Sequence, residues 1–463
     1  MAKSKKAAQD KDDEPKIGLI KRLADEITKT DHFARDAGRK LYVYSNGGFY
    51  TPYGQHYIGR LVKSLLISWE LTDAWSSNLS KEVAEYILVD APELWDKPPQ
   101  NIINLKNGLY NLEEGKLNKH TPDHLSPIQI PISYDPEATC PAWEKFVSEV
   151  FPEDAQDLAW EIPAWLMTPD TSIQRSILLT GEGANGKSTY LTAVSNFIGQ
   201  SNMSNMSLHK IESDRFSVAR LVGKLANICS DLPSAHLSGS SNLKAITGGD
   251  RITAEYKFRN SFEFTPYSRL IFSANHPPRS EDSSHAFFRR WLVVPFLRTF
   301  EGKEEIPRDV LDACLADEKE LSGVLNKALA VLPCLRKQGF TESDSMKAAW
   351  NDFRSATDPL IVWVERNTIK GADVFIVKAD FYSAYVTDCE IGGRIAPTQN
   401  SFGRTITKLF PEIKEGQRTI KVKNKQGVEK SKVVWAYIGI RLKTEDEIDE
   451  EEYDSQVLTL YNR

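Results

Sequence analysis

Apolar positions along this chain change their period several times, and each change predicts an element. From Ile17 onward Ile20, Leu23, Ala24 and Ile27 recur at the spacing of an amphipathic helix. Leu41-Tyr42-Val43-Tyr44 and Gly48-Phe49-Tyr50 flank Asn46-Gly47, a dipeptide that favours a hairpin turn. Helices are predicted from Gln55 to Trp75 and from Lys81 to Val89, whereas Asn101 to Pro136 breaks into turns and short apolar stretches. A helical period returns from Trp143 to Met167, where the tryptophans read as core residues. Four short apolar runs follow: Ser176 to Thr180, Leu225 to Cys229, Leu270 to Ala274 and Trp291 to Val294. Runs of this kind, separated by helix-length segments, predict buried strands of a parallel α/β sheet, with ligand residues at the strand C-termini. Helical segments run from Arg308 to Leu332 and resume near Met346. Asp358 to Leu442 reads as a smaller unit, helices and then a strand pair around Asn424-Lys425-Gln426-Gly427.

Composition adds the margins. Residues 1–16 are Lys, Asp, Glu and Ala with few apolar side chains, which predicts a disordered charged tail, and an acidic tail spans 444–463. Between them the expected domains are a mixed α/β region over 17–140, an α/β domain over 141–340 that holds the four apolar runs, and a smaller module over 345–443. The N-terminus carries no apolar signal core and no run reaches bilayer length, so the expected setting is cytoplasmic, without a membrane. Five scattered cysteines argue against a zinc site or a disulfide framework. The net charge of −6 means that any nucleic-acid site must be a local patch.

The chemistry centres on Gly181-Glu182-Gly183-Ala184-Asn185-Gly186-Lys187-Ser188-Thr189, which follows the first apolar run and opens a helical pattern. Gly181, Gly186, Lys187 and Ser188 fit the phosphate-loop spacing. Glycines let backbone N–H groups turn inward around a polyphosphate. Lys187 supplies charge to the β- and γ-phosphates, the Ser188 hydroxyl suits Mg²⁺, and the helix N-terminus adds its dipole. ATP with Mg²⁺ is the expected ligand. Asp231 ends the second run, where such an ATPase needs a carboxylate for the metal or for the attacking water; Asp231 serves both tasks, or Glu255 helps. Asn275 ends the third run, where an amide can hold water and sense the γ-phosphate. Arg289 and Arg290 precede the fourth, placed to stabilise phosphate charge on a neighbouring subunit. Between these lies a predicted hairpin, Ile252 to Tyr256 and Phe262 to Phe264, with Lys257, Phe258 and Arg259 near its tip. Cations beside an aromatic ring suit single-stranded DNA.

The constellation resembles the superfamily 3 helicases, in the phage and plasmid branch of primase-helicases related to the poxvirus primase-helicase. The matching pieces are Gly181 to Thr189, Thr247-Gly248-Gly249-Asp250-Arg251-Ile252, Phe272-Ser273-Ala274-Asn275-His276-Pro277-Pro278 and Phe288-Arg289-Arg290. Asn104 to Leu112 and Tyr134-Asp135-Pro136 resemble the domain preceding the ATPase in that family. The resemblance implies an AAA+-type P-loop core assembled as a ring, usually a hexamer, with ATP between subunits and hairpins drawing single-stranded DNA with 3′-to-5′ polarity. It assigns Arg290, with Arg289 as the alternative, to the neighbour's nucleotide. It further implies a C-terminal winged helix. Thr419 to Val422 and Lys432 to Tyr437 fit its wing, with Lys421, Lys423 and Lys425 on duplex DNA. Asn400 to Leu409 fits its recognition helix, with Phe402, Ile406 and Leu409 inward and Arg404 and Lys408 outward. No stretch offers the paired carboxylates of a primase, so a primase is expected on a separate polypeptide. The reading is a replicative helicase of a phage or mobile element; the alternative is an initiator in which ATP only switches DNA binding.

Overall fold

The computed structural model describes residues 18–444 and 447, except 234–236, 238, 258–259, 276–277, 279, 281, 283, 301–305, 358, 392, 394 and 424–428. The tail over 1–16, most of the acidic segment after Leu442, and the positions Phe258, Arg259, His276, Pro277 and Lys425 lie outside the described residues, as does the side chain of Lys423. The chain divides into two units, residues 1–276 with 289–349, and residues 277–288 with 350–463.

The first unit begins with a helix over 18–28 and the antiparallel strands Phe33–Arg35, Leu41–Tyr44 and Tyr50–Thr51. Tyr44 pairs with Tyr50 across the Asn46-Gly47 turn. The helices Gly54–Ser68 and Ser77–Asp90 close a core of Leu23, Ile27, Ile58, Val62, Leu66, Val83 and Ile87. The helix expected to reach Trp75 ends at Ser68, because Leu71 and Trp75 beyond it are exposed and add nothing to the buried stripe. The turn-rich stretch that follows forms a meander of Ile102–Leu105, Gly108–Asn111 and Lys116–Asn118.

A five-stranded parallel sheet occupies the centre of this unit. Its order is Trp291–Pro295, Ser176–Thr180, Arg269–Ala274, Ala226–Cys229 and Met203–Ser204. Every residue of the strands Arg269–Ala274 and Trp291–Pro295 is buried, as continuous apolar runs require of strands covered on both faces. Met203–Ser204 escaped the sequence reading because two edge residues carry no period. Helices Pro141–Val150, Leu158–Leu166, Lys187–Ile198 and Glu318–Gln338 share one continuous core with the sheet. Trp143 is fully buried there and its indole N–H donates to the Leu315 carbonyl at 2.8 Å, so this tryptophan is core. The helix expected to end at Leu332 continues through Pro333 to Gln338, since Leu332 and Leu335 both bury at helical spacing and offset the lost donor. Among the described residues no helix is long and apolar enough to cross a membrane.

The second unit holds helices Pro359–Asn367, Lys378–Ile391 and Gln399–Leu409 over a three-stranded antiparallel sheet. Its strand order is Thr368–Val377, Glu429–Leu442, Lys414–Lys423. The expected strand pair is therefore longer than its alternating core, and a third strand joins it. That strand was hidden because Gly371 and Asp373 interrupt its apolar alternation, where the pairing shifts between Lys370 and Phe375. Phe381, Phe402, Ile406, Tyr437 and Ile440 form the core.

One close approach tests the packing. A Cβ on Gly323 would stand 2.3 Å from the Thr139 carbonyl carbon. Gly323→Ala should destabilise the first unit by about 1–3 kcal/mol, seen as a lowered thermal midpoint; an unchanged midpoint would show that the helix can shift away at no cost.

Candidate functional site

The buried strand Ser176–Thr180 delivers the chain to the sheet's C-terminal edge, where the glycine-rich loop turns into the helix Lys187–Ile198. Gly181, Gly183 and Gly186 have φ of +151°, +155° and +85°, and a Cβ at Gly181 would lie 2.2 Å from the Asn185 amide nitrogen. Ala184 also has positive φ, at +44°. Gly186 caps the helix in the left-handed region without any side-chain cap, which leaves the first-turn N–H groups without a side-chain acceptor at the loop. Such a cradle fits a polyphosphate: uncapped donors, a helix dipole and no Cβ in the turn. Lys187 is buried. Its ammonium donates to the Gly181 carbonyl at 2.6 Å and to Asn185 Oδ1 at 3.0 Å, and desolvation lowers its pKa. Asn185 in turn donates to the Phe296 carbonyl at 3.3 Å. Ser188 is exposed on the first turn, where its hydroxyl could reach a metal, whereas Thr189 is buried.

Strand register brings the other candidates to the same edge. Ala274 pairs with Thr180, so Asn275 lies level with Gly181. Phe272 pairs with Cys229, so Asp231 emerges one strand further on, and the Leu232 N–H is bound to the Ser273 carbonyl. Asp231 and Asn275 are exposed. Glu255, the other candidate acid, is elsewhere: it sits on a hairpin strand and pairs with Arg215 at 2.9 Å.

Arg289 and Arg290 lie at the opposite end of the sheet. Trp291 pairs with Ser176, and both the backbone N–H and the hydroxyl of Ser176 bind the Arg290 carbonyl, at 2.6 and 3.0 Å. Arg289 is exposed and donates to Gln174. Arg290 is 8% exposed, and its Nε donates to Thr247 Oγ1 at 2.9 Å. Arg175, which the sequence reading overlooked, donates to the Arg289 carbonyl and pairs with Glu342.

Ile252–Glu255 and Ser261–Phe264 form the expected antiparallel hairpin, with Lys257 exposed in its tip. Its aromatic surface was missed. Tyr256, 43% exposed, stacks on Phe262 at 4.9 Å and 20°. The signal was period-two alternation, which sets Tyr256 in line with Ile252 and Ala254, one residue before Lys257. In the second unit the helix Gln399–Leu409 buries Phe402 and Ile406, half-buries Leu409, and exposes Arg404 and Lys408. Lys421 pairs with Glu429 across the ribbon at 3.7 Å.

Gly186→Ala tests the cradle. Left-handed backbone costs alanine about 1–2 kcal/mol, and the new methyl would meet Val150 Cγ1 at 2.7 Å. The thermal midpoint should fall and binding of a fluorescent ATP analogue should weaken about tenfold or more; wild-type binding would show that the loop does not hold phosphate.

Comparison with known proteins adds to this geometry. A family described as "D5 N terminal like" matches residues 21–152, and a family of unknown function (DUF5906) matches residues 179–290. A putative helicase L207/L206 of Acanthamoeba polyphaga mimivirus is 24% identical over 211 residues, covering 43% of this chain and 22% of that protein. The putative helicase 121R of Invertebrate iridescent virus 3 is 25% identical over 250 residues, covering 47% of this chain and 25% of that protein. The matched region thus spans a quarter or less of these curated relatives. Among solved structures, the apo C-terminal region of NrS-1 shares the fold with a TM-score of 0.50 at 14% identity, over 91% of this chain and 98% of that one. The chain thus matches the D5-type family over its N-terminal part, resembles two helicase-named viral proteins over less than half its length, and shares its fold with the NrS-1 C-terminal region.

Proposed function

We propose that this chain is an ATP-dependent DNA helicase that works as a ring, probing single-stranded DNA with its hairpins during replication of a phage or mobile element. The observation that carries the reading is the division of the site between two ends of one strand pair. The phosphate loop, Asn275 and Asp231 share the C-terminal edge, while Arg289 and Arg290 stand at the N-terminal end of the strand beside Ser176–Thr180. Five residues of strand separate them, about 16 Å at the usual rise. Neither arginine can serve the loop of its own chain along that path, so the arrangement supports a nucleotide shared between subunits, as in a hexamer.

In this reading Lys187 and the loop N–H groups bind and orient the triphosphate, and Ser188 with Asp231 would hold Mg²⁺, which supplies charge neutralisation at the phosphates. Asp231 takes the proton of the attacking water, and Asn275 positions that water. A neighbour's Arg290, or Arg289, stabilises the charge on the transferred group. Lys257, Phe258 and Arg259 meet the single strand, with 3′-to-5′ polarity carried over from the resemblance. The C-terminal unit acts as a winged helix. Its helix Gln399–Leu409 presents Arg404 and Lys408 to duplex DNA, and its ribbon presents Lys421, Lys423 and Lys425. A primase would be a separate partner.

Purified protein with ATP and Mg²⁺ should unwind a forked duplex, and Lys187→Ala should lower hydrolysis by roughly 100-fold or more while keeping the fold. Hydrolysis without strand separation on forks of either polarity would instead favour an ATP-switched initiator. Reversing Lys421, Lys423 and Lys425 to glutamate should weaken duplex binding and flatten its salt slope by about one for each lost phosphate contact. An unchanged slope would move the DNA site wholly to the hairpins.

A further inference from the structure

Arg290 is tied into the fold at both ends. Its carbonyl accepts from Ser176 at the start of the strand that carries the phosphate loop. Its Nε donates to Thr247 Oγ1 at 2.9 Å, and the Thr247 hydroxyl in turn donates to the Leu243 carbonyl at 2.6 Å. Thr247 is 7% exposed and Arg290 8%, so little water competes for this contact.

Thr247 stands in the last turn of the helix Ser241–Gly248. Gly249 follows with φ +74°, where a Cβ would meet Thr171 Oγ1 at 2.8 Å, and the hairpin strand starts at Ile252. Four residues, Gly248 to Arg251, therefore lie between Thr247 and the strand, with the tight turn at Gly249 leaving little slack. The helix is held at its other end by Glu212, whose carboxylate accepts from the N–H groups of Asn242 and Leu243. The hairpin is braced separately, by Arg215 on Glu255 at 2.9 Å and by Ala254 against Val218 and Ala219. A displacement of the Arg290 guanidinium thus has a short path to the hairpin, buried at its Arg290–Thr247 end.

We infer that Thr247 is a positioning residue that couples Arg290 to the DNA-binding hairpin. The state of the nucleotide on the neighbouring subunit reaches the hairpin through it, and single-stranded DNA on the hairpin sets the guanidinium for that neighbour. This inference rests on the proposed ring ATPase, and it assigns the coupling to a side chain that touches neither nucleotide nor DNA.

The test compares wild type, Thr247→Val, Thr247→Ser, Arg290→Lys and the Thr247→Val/Arg290→Lys double variant. Each is measured for ATP hydrolysis with and without a single-stranded oligonucleotide, for oligonucleotide binding by anisotropy, and for its thermal midpoint. Valine keeps the shape but loses the acceptor. The stimulation of hydrolysis by DNA should fall about tenfold in Thr247→Val, within the usual range of coupling energies. Oligonucleotide affinity and nucleotide KM should stay within about twofold, and serine should restore the stimulation. Arg290→Lys loses the Nε donor, so adding Thr247→Val to it should change stimulation no further. Should Thr247→Val fold poorly, Thr247→Ala, which loses the same acceptor without adding a methyl, carries the comparison. Wild-type stimulation in Thr247→Val, or additive losses in the double variant, would overturn the coupling. A wild-type protein that neither hydrolyses ATP nor binds the oligonucleotide would overturn the proposed function itself, an outcome distinguishable from the first.

Discussion

The parallel pairing of Ser176–Thr180 with a strand on each side is the constraint on which the rest depends. Because both neighbours run the same way, everything after a strand collects at one edge and everything before it at the other. Register then decides who meets whom. Ala274 against Thr180 brings Asn275 beside the phosphate loop, and Trp291 against Ser176 sends Arg290 to the far end. A slip of one residue would turn each side chain of these strands to the opposite face and disturb the close packing on both. The site's division between two edges thus follows from core packing. No polar contact is needed to impose it.

Around that sheet the polar groups act as fasteners. Asn185 joins the loop to the carbonyl of Phe296, and Phe300 N–H joins the same segment to Ala184, so the chain after the strand Trp291–Pro295 clasps the loop it helps to form. Lys187 held on the Gly181 carbonyl keeps the loop's cation inside the turn, although desolvation opposes the charge. Asn185 and Lys187 are buried groups that would be costly to leave unpaired, which ties the loop's shape to the unit around it.

Much of the fold was legible in the sequence because the central strands are uninterrupted apolar runs and because glycines followed by a helical pattern predict a tight turn between strand and helix. The Asn46-Gly47 hairpin was legible for the same local reason. Long-range partners were not. Thr247 and Arg290 are 43 residues apart, and Asn185 finds Phe296 across 111, with nothing in local periodicity to join them. The strand Thr368–Val377 stayed hidden because its central Gly371-Ala372-Asp373 breaks the alternation that marks strands. Pro333 misled in the other direction, since a helix with enough apolar surface beyond a proline continues through it.

The central claim, that one subunit's arginine completes another's nucleotide site, is tested most directly by mixing variants. Arg290→Ala and Lys187→Ala proteins, each inactive alone, are combined over a range of ratios and ATP hydrolysis is measured. Shared sites predict a rise to a maximum near equal proportions, because some interfaces then pair an intact loop with an intact arginine. Inactivity at every ratio, with mixed assembly shown by labelled subunits, would contradict the account and return the arginine to a role within its own chain.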